Sequence, residues 1–281
     1  MKREAKIRPF WYSDVWLFPK LITVITTVDR QGRVNAAPYS HIMQYDVMAK
    51  NPRMIVGFRQ ESHTFQNICD QREFVVNCPP AEYLDDMMET ARFYPEGVNE
   101  LAHTRFTMIP SLHVKPPTIA ECPQIAECVA DEIVRLEKSS GIVIASIKAL
   151  VFDEELIDMS RGERIRKMNL PIGLGDEDRQ DYFHTTADHV TVHRLGETPD
   201  AFKGSEVQLG MDWDADALQA LMTIPPMIRK MVSELTEAYC RSISRNKVSN
   251  ADFEAFAETQ GMTPELIERF QNNGKLAGNR S

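Results

Sequence analysis

The chain has 281 residues, 43% of them hydrophobic, which is enough to bury a large core in one big domain or two. Its formal net charge of −9 leaves no global basic field, which argues against a general nucleic-acid or anionic-membrane surface. The basic stretch Met1 to Arg8 leads into no apolar signal-peptide core and no apolar run approaches membrane length, so the expectation is a cytoplasmic protein with neither nucleic acid nor membrane as partner.

Leu21-Ile22-Thr23-Val24-Ile25-Thr26-Thr27-Val28 is a β-branched run that reads as a strand. Asp29-Arg30-Gln31-Gly32 supplies a turn, with Gly32 free to take a positive φ, and Val34 to Ser40 returns as the second strand of a hairpin. That second strand ends in small residues, a proline and a hydroxyl. Asn51 to Phe58 is a further strand, and Arg59, Ser62, His63 and Thr64 cluster before a helix expected over Thr64 to Gln71. Glu73 to Cys78 reads as a strand that Pro79-Pro80 stops. Ala81 to Ala91 reads as a helix whose Tyr83, Leu84, Met87 and Met88 face the core. Pro95 to Pro117 carries few regular signals. It holds His103, Thr104, Arg105 and His113, and reads equally as a loop near a site or as a surface connection. Cys128 to Lys138 and Gly141 to Asp153 form an antiparallel hairpin around Ser139-Ser140-Gly141, the second strand apolar enough for a barrel core or a subunit interface.

Arg161 to Lys167 is a basic cluster in an acidic chain. It reads as a grip for nucleotide phosphates or, the favoured reading, as a solvated helix face with Glu163 and Lys167 paired at i and i+4. Gly173-Leu174-Gly175 lacks the strand-to-helix context of a dinucleotide fingerprint. Cys69, Cys78, Cys122, Cys128 and Cys240 show no C-x-x-C and read as buried free thiols, with no metal site expected. Organisation changes near Ala201. Residues 190–210 read as a linker, and helices follow over Trp213 to Thr223, from Pro225-Pro226 onward, and after the N-caps Ser249 and Thr263. The chain is thereby expected to divide into 1–200 and 201–281.

The order of pieces is distinctive: a strand, a D-x-x-G turn, Asn35-Ala36-Ala37-Pro38-Tyr39-Ser40, the Asn51-Pro52 strand entry, Ser62-His63-Thr64 with Asn67-Ile68, and a strand ending in Val76-Asn77. In that order they resemble the flavin reductase-like family. The resemblance implies a mainly β fold, an antiparallel split β-barrel that binds FMN, here with a C-terminal α-helical extension. It also implies a homodimer with FMN at or near the subunit interface. The ring site would be Thr26, Thr27, Asn35, Ala36, Ala37, Pro38, Tyr39 and Ser40, and the phosphate site Arg59, Ser62, His63, Thr64 and Asn67. The chemistry of these residues agrees. Two alanines let backbone amides approach a flat ring, Asn35 and Ser40 offer polar groups at either end, and a helix start beside Arg59 suits a phosphate dianion. Ser62 and Thr64 also have a plainer use, as helix caps.

Trp213-Asp214, Ala217, Leu221, Ile224-Pro225, Arg229, Val232, Glu237-Ala238-Tyr239 and Val248 resemble the small C-terminal module of a light-independent protochlorophyllide reductase subunit. The module reads as a helical hairpin that docks on a partner or on the dimer, or as a lid near a planar substrate, the first being favoured. Three functions are then expected to compete. The leading one is an FMN-dependent oxidoreductase that passes electrons from NADH or NADPH through FMN to a small-molecule or protein acceptor. The others are a non-enzymatic FMN electron carrier, and a barrel that holds haem or another tetrapyrrole. Flavin chemistry needs no acid–base dyad or nucleophile, so no catalytic side chain is assigned, and His41 is read as structural.

Overall fold

The structure is a computed structural model that describes residues 17–46, 52–95, 97–137, 140–177, 181–192, 207–224 and 226–260, together with Glu4 and Lys6. The chain forms two compact units, one reaching Val192 and the other taking up the residues after it. The expected division at 200/201, most of the 190–210 linker and the Thr263 cap lie outside the described residues.

The first unit begins with β1 (Lys20–Leu21), β2 (Thr23–Val28), β3 (Val34–Tyr39), β4 (Ile42–Asp46) and β5 (Arg53–Arg59). Helix α1 (His63–Gln71) and β6 (Glu73–Cys78) follow, then a 3-10 turn, α2 (Leu84–Glu89), a second 3-10 turn (Glu100–His103), β7 (Met108–Ile109) and β8 (Thr118–Ile119). The long pair β9 (Gln124–Arg135) and β10 (Ser140–Phe152) leads to α3 (Glu154–Ile157), α4 (Arg161–Met168), β11 (Pro171–Glu177) and β12 (Asp181–Thr186). One antiparallel sheet runs in the order β3-β2-β6-β9-β10-β5-β4. Its two edge strands, β3 and β4, are neighbours in sequence, joined through Ser40 and His41. This is the split barrel, with its seam between those two strands.

Strand alternation fills both faces of the central strands. Ile25, Phe74, Val76, Ala126, Cys128, Val143 and Ala145 point to one core, into which α1 lays Phe65 and Ile68. Val24, Ala36, Val75 and Ile125 point to the other, which Met87, Leu101, Phe106, Val114 and Ile119 cover from the connections. Thus every residue of β2 is buried. Removing a side chain such as Phe65 from water contributes about 1.5–3 kcal/mol. Its ring fills the space where Gly141 has no side chain, since a Cβ there would come within 2.5 Å of it.

Two local expectations are corrected. Strand β9 starts at Gln124 rather than Cys128, because Cys122-Pro123 already completes the turn and Cys78 pairs with Gln124. On α4, Glu163 closes a capping box with Ser160, and Lys167 in the last turn pairs with Glu155 of α3 (3.1 Å), so the expected Glu163–Lys167 pair is replaced by one contact at the helix start and one to the preceding helix.

The second unit contains β13 (Asp212–Trp213), α5 (Ala215–Thr223), α6 (Pro226–Ser242), β14 (Lys247–Val248) and α7 (Asn250–Thr259), with β13 and β14 paired in parallel. Ala217, Leu221, Cys240, Val248 and Phe253 form its core. Ser249 caps α7 through a capping box with Asp252. Buried Arg229 donates to the carbonyls of Met222 and Ile224 and so satisfies the end of α5. Buried Glu237 accepts from the amides of Gly210 (2.8 Å) and Met211 (3.2 Å), from the Trp213 indole (3.2 Å) and from Arg241 (2.9 Å). Among the described residues no helix is long and apolar enough to cross a membrane.

Candidate functional site

The hairpin that opens the site is set by its turn. Asp29 Oδ1 accepts from the amides of Gln31 and Arg33, and Gly32 takes φ +78°. The register pairs Thr27 with Asn35, Thr26 with Ala36 and Ile25 with Ala37. Because side chains alternate, the expected ring residues divide between two faces. Thr27, Asn35, Ala37 and Tyr39 share the face of the α1 core. Thr26, Ala36 and Pro38 share the other, where Thr26 donates to the Pro117 carbonyl (2.6 Å) and accepts from Asn77 (3.2 Å). Side chains of the contiguous run therefore do not line one surface. What the run does share is its backbone on the open edge of β3, where Pro38 lacks an amide as an edge strand permits. Ser40 follows at the seam.

Helix α1 packs its first turn against this hairpin. Ser62 is its N-cap, accepting from the Phe65 amide (3.2 Å) while donating to the Arg59 carbonyl (2.8 Å), so the plainer use of Ser62 is real. Thr64 is no cap. Its side chain is buried and lies 3.0 Å from Asn35. Asn67 donates to Thr27 Oγ1 (3.1 Å), so Thr27, Asn35, Thr64 and Asn67 form one buried polar network behind the helix start. Tyr39 donates to Ser62 (3.3 Å) and packs edge-on against Phe58. Burial pushes the Tyr39 phenol up, against the Ser62 and Thr64 hydrogen bonds and the charge of Arg59.

Two exposed side chains stay outside this network. Arg59 and His63 are both exposed, and neither has a side-chain hydrogen bond or ion pair among the described residues. The amides of His63 and Thr64, at the first positions of α1, take no partner within the helix. Unpaired amides, the positive helix end and a free guanidinium are the chemistry of a phosphate dianion site. His41 lies at the seam, between β3 and β4. Its carbonyl accepts from Gly57 (2.8 Å), and burial first, then Lys20 and Arg59, lower its imidazole. A surface groove of about 450 Å³ runs from His63, Gln66 and Asn67 to the Asp29–Arg33 turn.

One residue of the site was not expected. Glu100, in the 3-10 turn capped by Asn99, is 5% exposed, and its Oε2 accepts from the Ala36 amide at 2.9 Å. With the Asn35 amide group turned so that all its partners are met, Asn35 donates to Glu100 Oε1 (3.2 Å) and accepts from Thr64 (3.0 Å). Asn99 before a helical turn is a local cap signal. The reach of Glu100 back to β3 is a long-range contact that no local pattern carries.

Residues 16–164 match the flavin reductase like domain, just over half of the chain. A protein of Methanothermobacter thermautotrophicus is 30% identical over 176 residues, covering 61% of this chain and 82% of that one. Among solved structures, the 2-nitrobenzoate 2-nitroreductase NbaA of Pseudomonas fluorescens is 25% identical with a TM-score of 0.57, covering 68% of this chain and 92% of that one. Nitrilotriacetate monooxygenase component B from Bacillus cereus shares the fold at 19% identity and a TM-score of 0.57, over 70% of this chain and 100% of its own.

Proposed function

This chain belongs to the flavin reductase-like family, and from that premise we propose that it is an FMN-dependent oxidoreductase that takes electrons from NADH or NADPH and delivers them to a small-molecule or protein acceptor. What carries the FMN reading is a helix start whose His63 and Thr64 amides have no partner within the helix, joined through Ser62 to the carbonyl of an exposed Arg59 that has no ion pair among the described residues. These groups fit a phosphate monoester dianion, with Ser62 holding the helix start and Asn67 and Thr27 bracing it from behind. The ring would lie along the open edge of β3, against the backbone of Asn35 to Ser40, with Tyr39 and Thr26 held by their own hydrogen bonds on either face. Bound there, FMN supplies the two-electron chemistry, and the chain's part is to bind, orient and shield it. A haem is disfavoured, because the free amides and positive end of the helix start answer a phosphate.

A homodimer belongs to this reading. Met43, Ile55, Ile142, Ile144 and Val134 are aligned across β4, β5, β10 and β9 on the face opposite the core, and Met43, Tyr45 and Val134 are exposed. An apolar sheet face of this kind calls for a cover, and a second copy would supply it. The second unit, with Leu218, Met222, Met231 and Leu235 exposed, is proposed to dock a partner protein, which favours an FMN electron carrier as the second reading.

The test is the visible spectrum of the purified protein loaded with FMN, before and after NADH or NADPH without oxygen, with the mass taken by sedimentation. A flavin spectrum that bleaches, on a particle of twice the chain mass, is expected. A flavin that stays oxidised with both nucleotides moves the reading to the carrier. A protein that takes up no FMN ends it.

A further inference from the structure

We propose that Glu100 is a positioning residue of the flavin site, holding the outward amide of Ala36 and, through the Asn35 side chain, setting the direction of hydrogen bonds in the network behind the phosphate site. This rests on the flavin reading above.

The geometry begins at the strand edge. The Ala36 amide points away from β2, because its hydrogen bond goes to the Glu100 side chain rather than along the ladder. It belongs to the segment against which the ring would lie, so Glu100 fills a place at that edge before any ligand does. The carboxylate is buried and has no ion-pair partner among the described residues. Burial pushes it above the usual carboxylate range, opposed by the Ala36 amide, its own backbone amide and the charge of His63. A buried charge held by amides alone costs stability that a neutral side chain of the same shape would not. Buried Glu127, by contrast, takes the amides of Leu112 and His113 at 2.7 Å each and ties down the 106–118 connection, well away from the β3 edge.

Because a carboxylate only accepts, it decides more than its own contacts. It forces Asn35 to present its nitrogen, which leaves the Asn35 oxygen to accept from Thr64. The hydroxyl of Thr64 is thereby directed inward, and what the helix start offers a ligand is its amides. A donor at position 100 would turn the Asn35 amide over and reverse the chain of hydrogen bonds through Thr64 and Thr27. The negative charge also lies beside the edge where the extra electron density of a reduced flavin would sit, and so favours the oxidised cofactor.

The experiment compares wild type, Glu100→Gln and Glu100→Ala by FMN fluorescence titration and by the midpoint potential of the bound flavin. Glu100→Ala is expected to weaken FMN binding about tenfold, since it leaves the Asn35 nitrogen without its acceptor and the Ala36 amide with only the Asn35 oxygen at 3.2 Å. Glu100→Gln keeps an acceptor for Ala36 and restores affinity to within about threefold. It is expected to raise the potential by about 30 mV, a tenfold change in the ratio of affinities for the two redox states of a two-electron couple. A merely structural role would leave the potential of the Gln variant where it was. Wild-type affinity in the Ala variant overturns the inference, as does an unmoved potential in the Gln variant, which also decides the matter if the Ala variant does not fold. Absence of FMN binding by the wild type removes the flavin reading itself, and this inference with it.

Discussion

Glu237 and Glu100 are both buried carboxylates that accept from backbone amides, and the difference between them separates the two units. Glu237 is saturated: two amides, an indole N–H and the Arg241 guanidinium meet its oxygens, and all of them hold the helical unit together. Glu100 has amides but no ion-pair partner among the described residues, while His63, which acts on it through space, makes no ion pair there either. A carboxylate whose charge is answered within its own cluster is there for the fold. One left without an ion pair is a candidate for a role outside the fold, and the flavin reading proposed above supplies one.

The largest effect that would test this contrast is expected at Glu237. Glu237→Ala strands the Gly210 and Met211 amides, the indole and a guanidinium, and should destabilise the second unit by about 3–5 kcal/mol, read by chemical denaturation, with FMN affinity unchanged. Arg59→Ala should do the opposite. Its side chain is exposed and unpaired, so thermal stability should hold while FMN affinity falls about tenfold, roughly 1.4 kcal/mol for a lost charge-assisted contact. An unchanged titration would take the phosphate away from this helix start. The smallest effect belongs to Ser62→Ala, where loss of the cap should lower stability by about 1 kcal/mol and affinity severalfold, because the Arg59 carbonyl and the first turn lose a shared anchor. If stability falls with no change in affinity, Ser62 is a cap and nothing more.

Local chemistry carried much of the fold in advance. The Asp29–Gly32 turn, the Ser62 start of α1, the Ser249 cap and the Pro226 restart are short-range patterns, and each element begins where those residues place it. The candidate site was legible as a stretch of sequence but not as a surface. Thr26 and Ala36 fall on the far side of the hairpin from Thr27 and Asn35 because a strand reverses its side chains at each residue, so adjacent letters part company in space. Thr64 read as a ligand or a cap; its side chain is not the cap, since the turn of α1 rotates it inward toward Asn35. Glu100 had no signal at all. Its role depends on a connection folding back across β3, and tertiary contact of that kind leaves no periodicity behind.

The absence of a side chain at Gly141 reaches further than packing. Phe65, which that gap admits, is the peg on which α1 is hung, and the helix carries the amides of His63 and Thr64 two residues and one residue before it. The hairpin at residue 141 thus acts as a gauge for the helix start: even one added methyl would push the peg outward and carry the amides with it. On the phosphate site proposed above, a change there is expected to show itself first as lost FMN affinity.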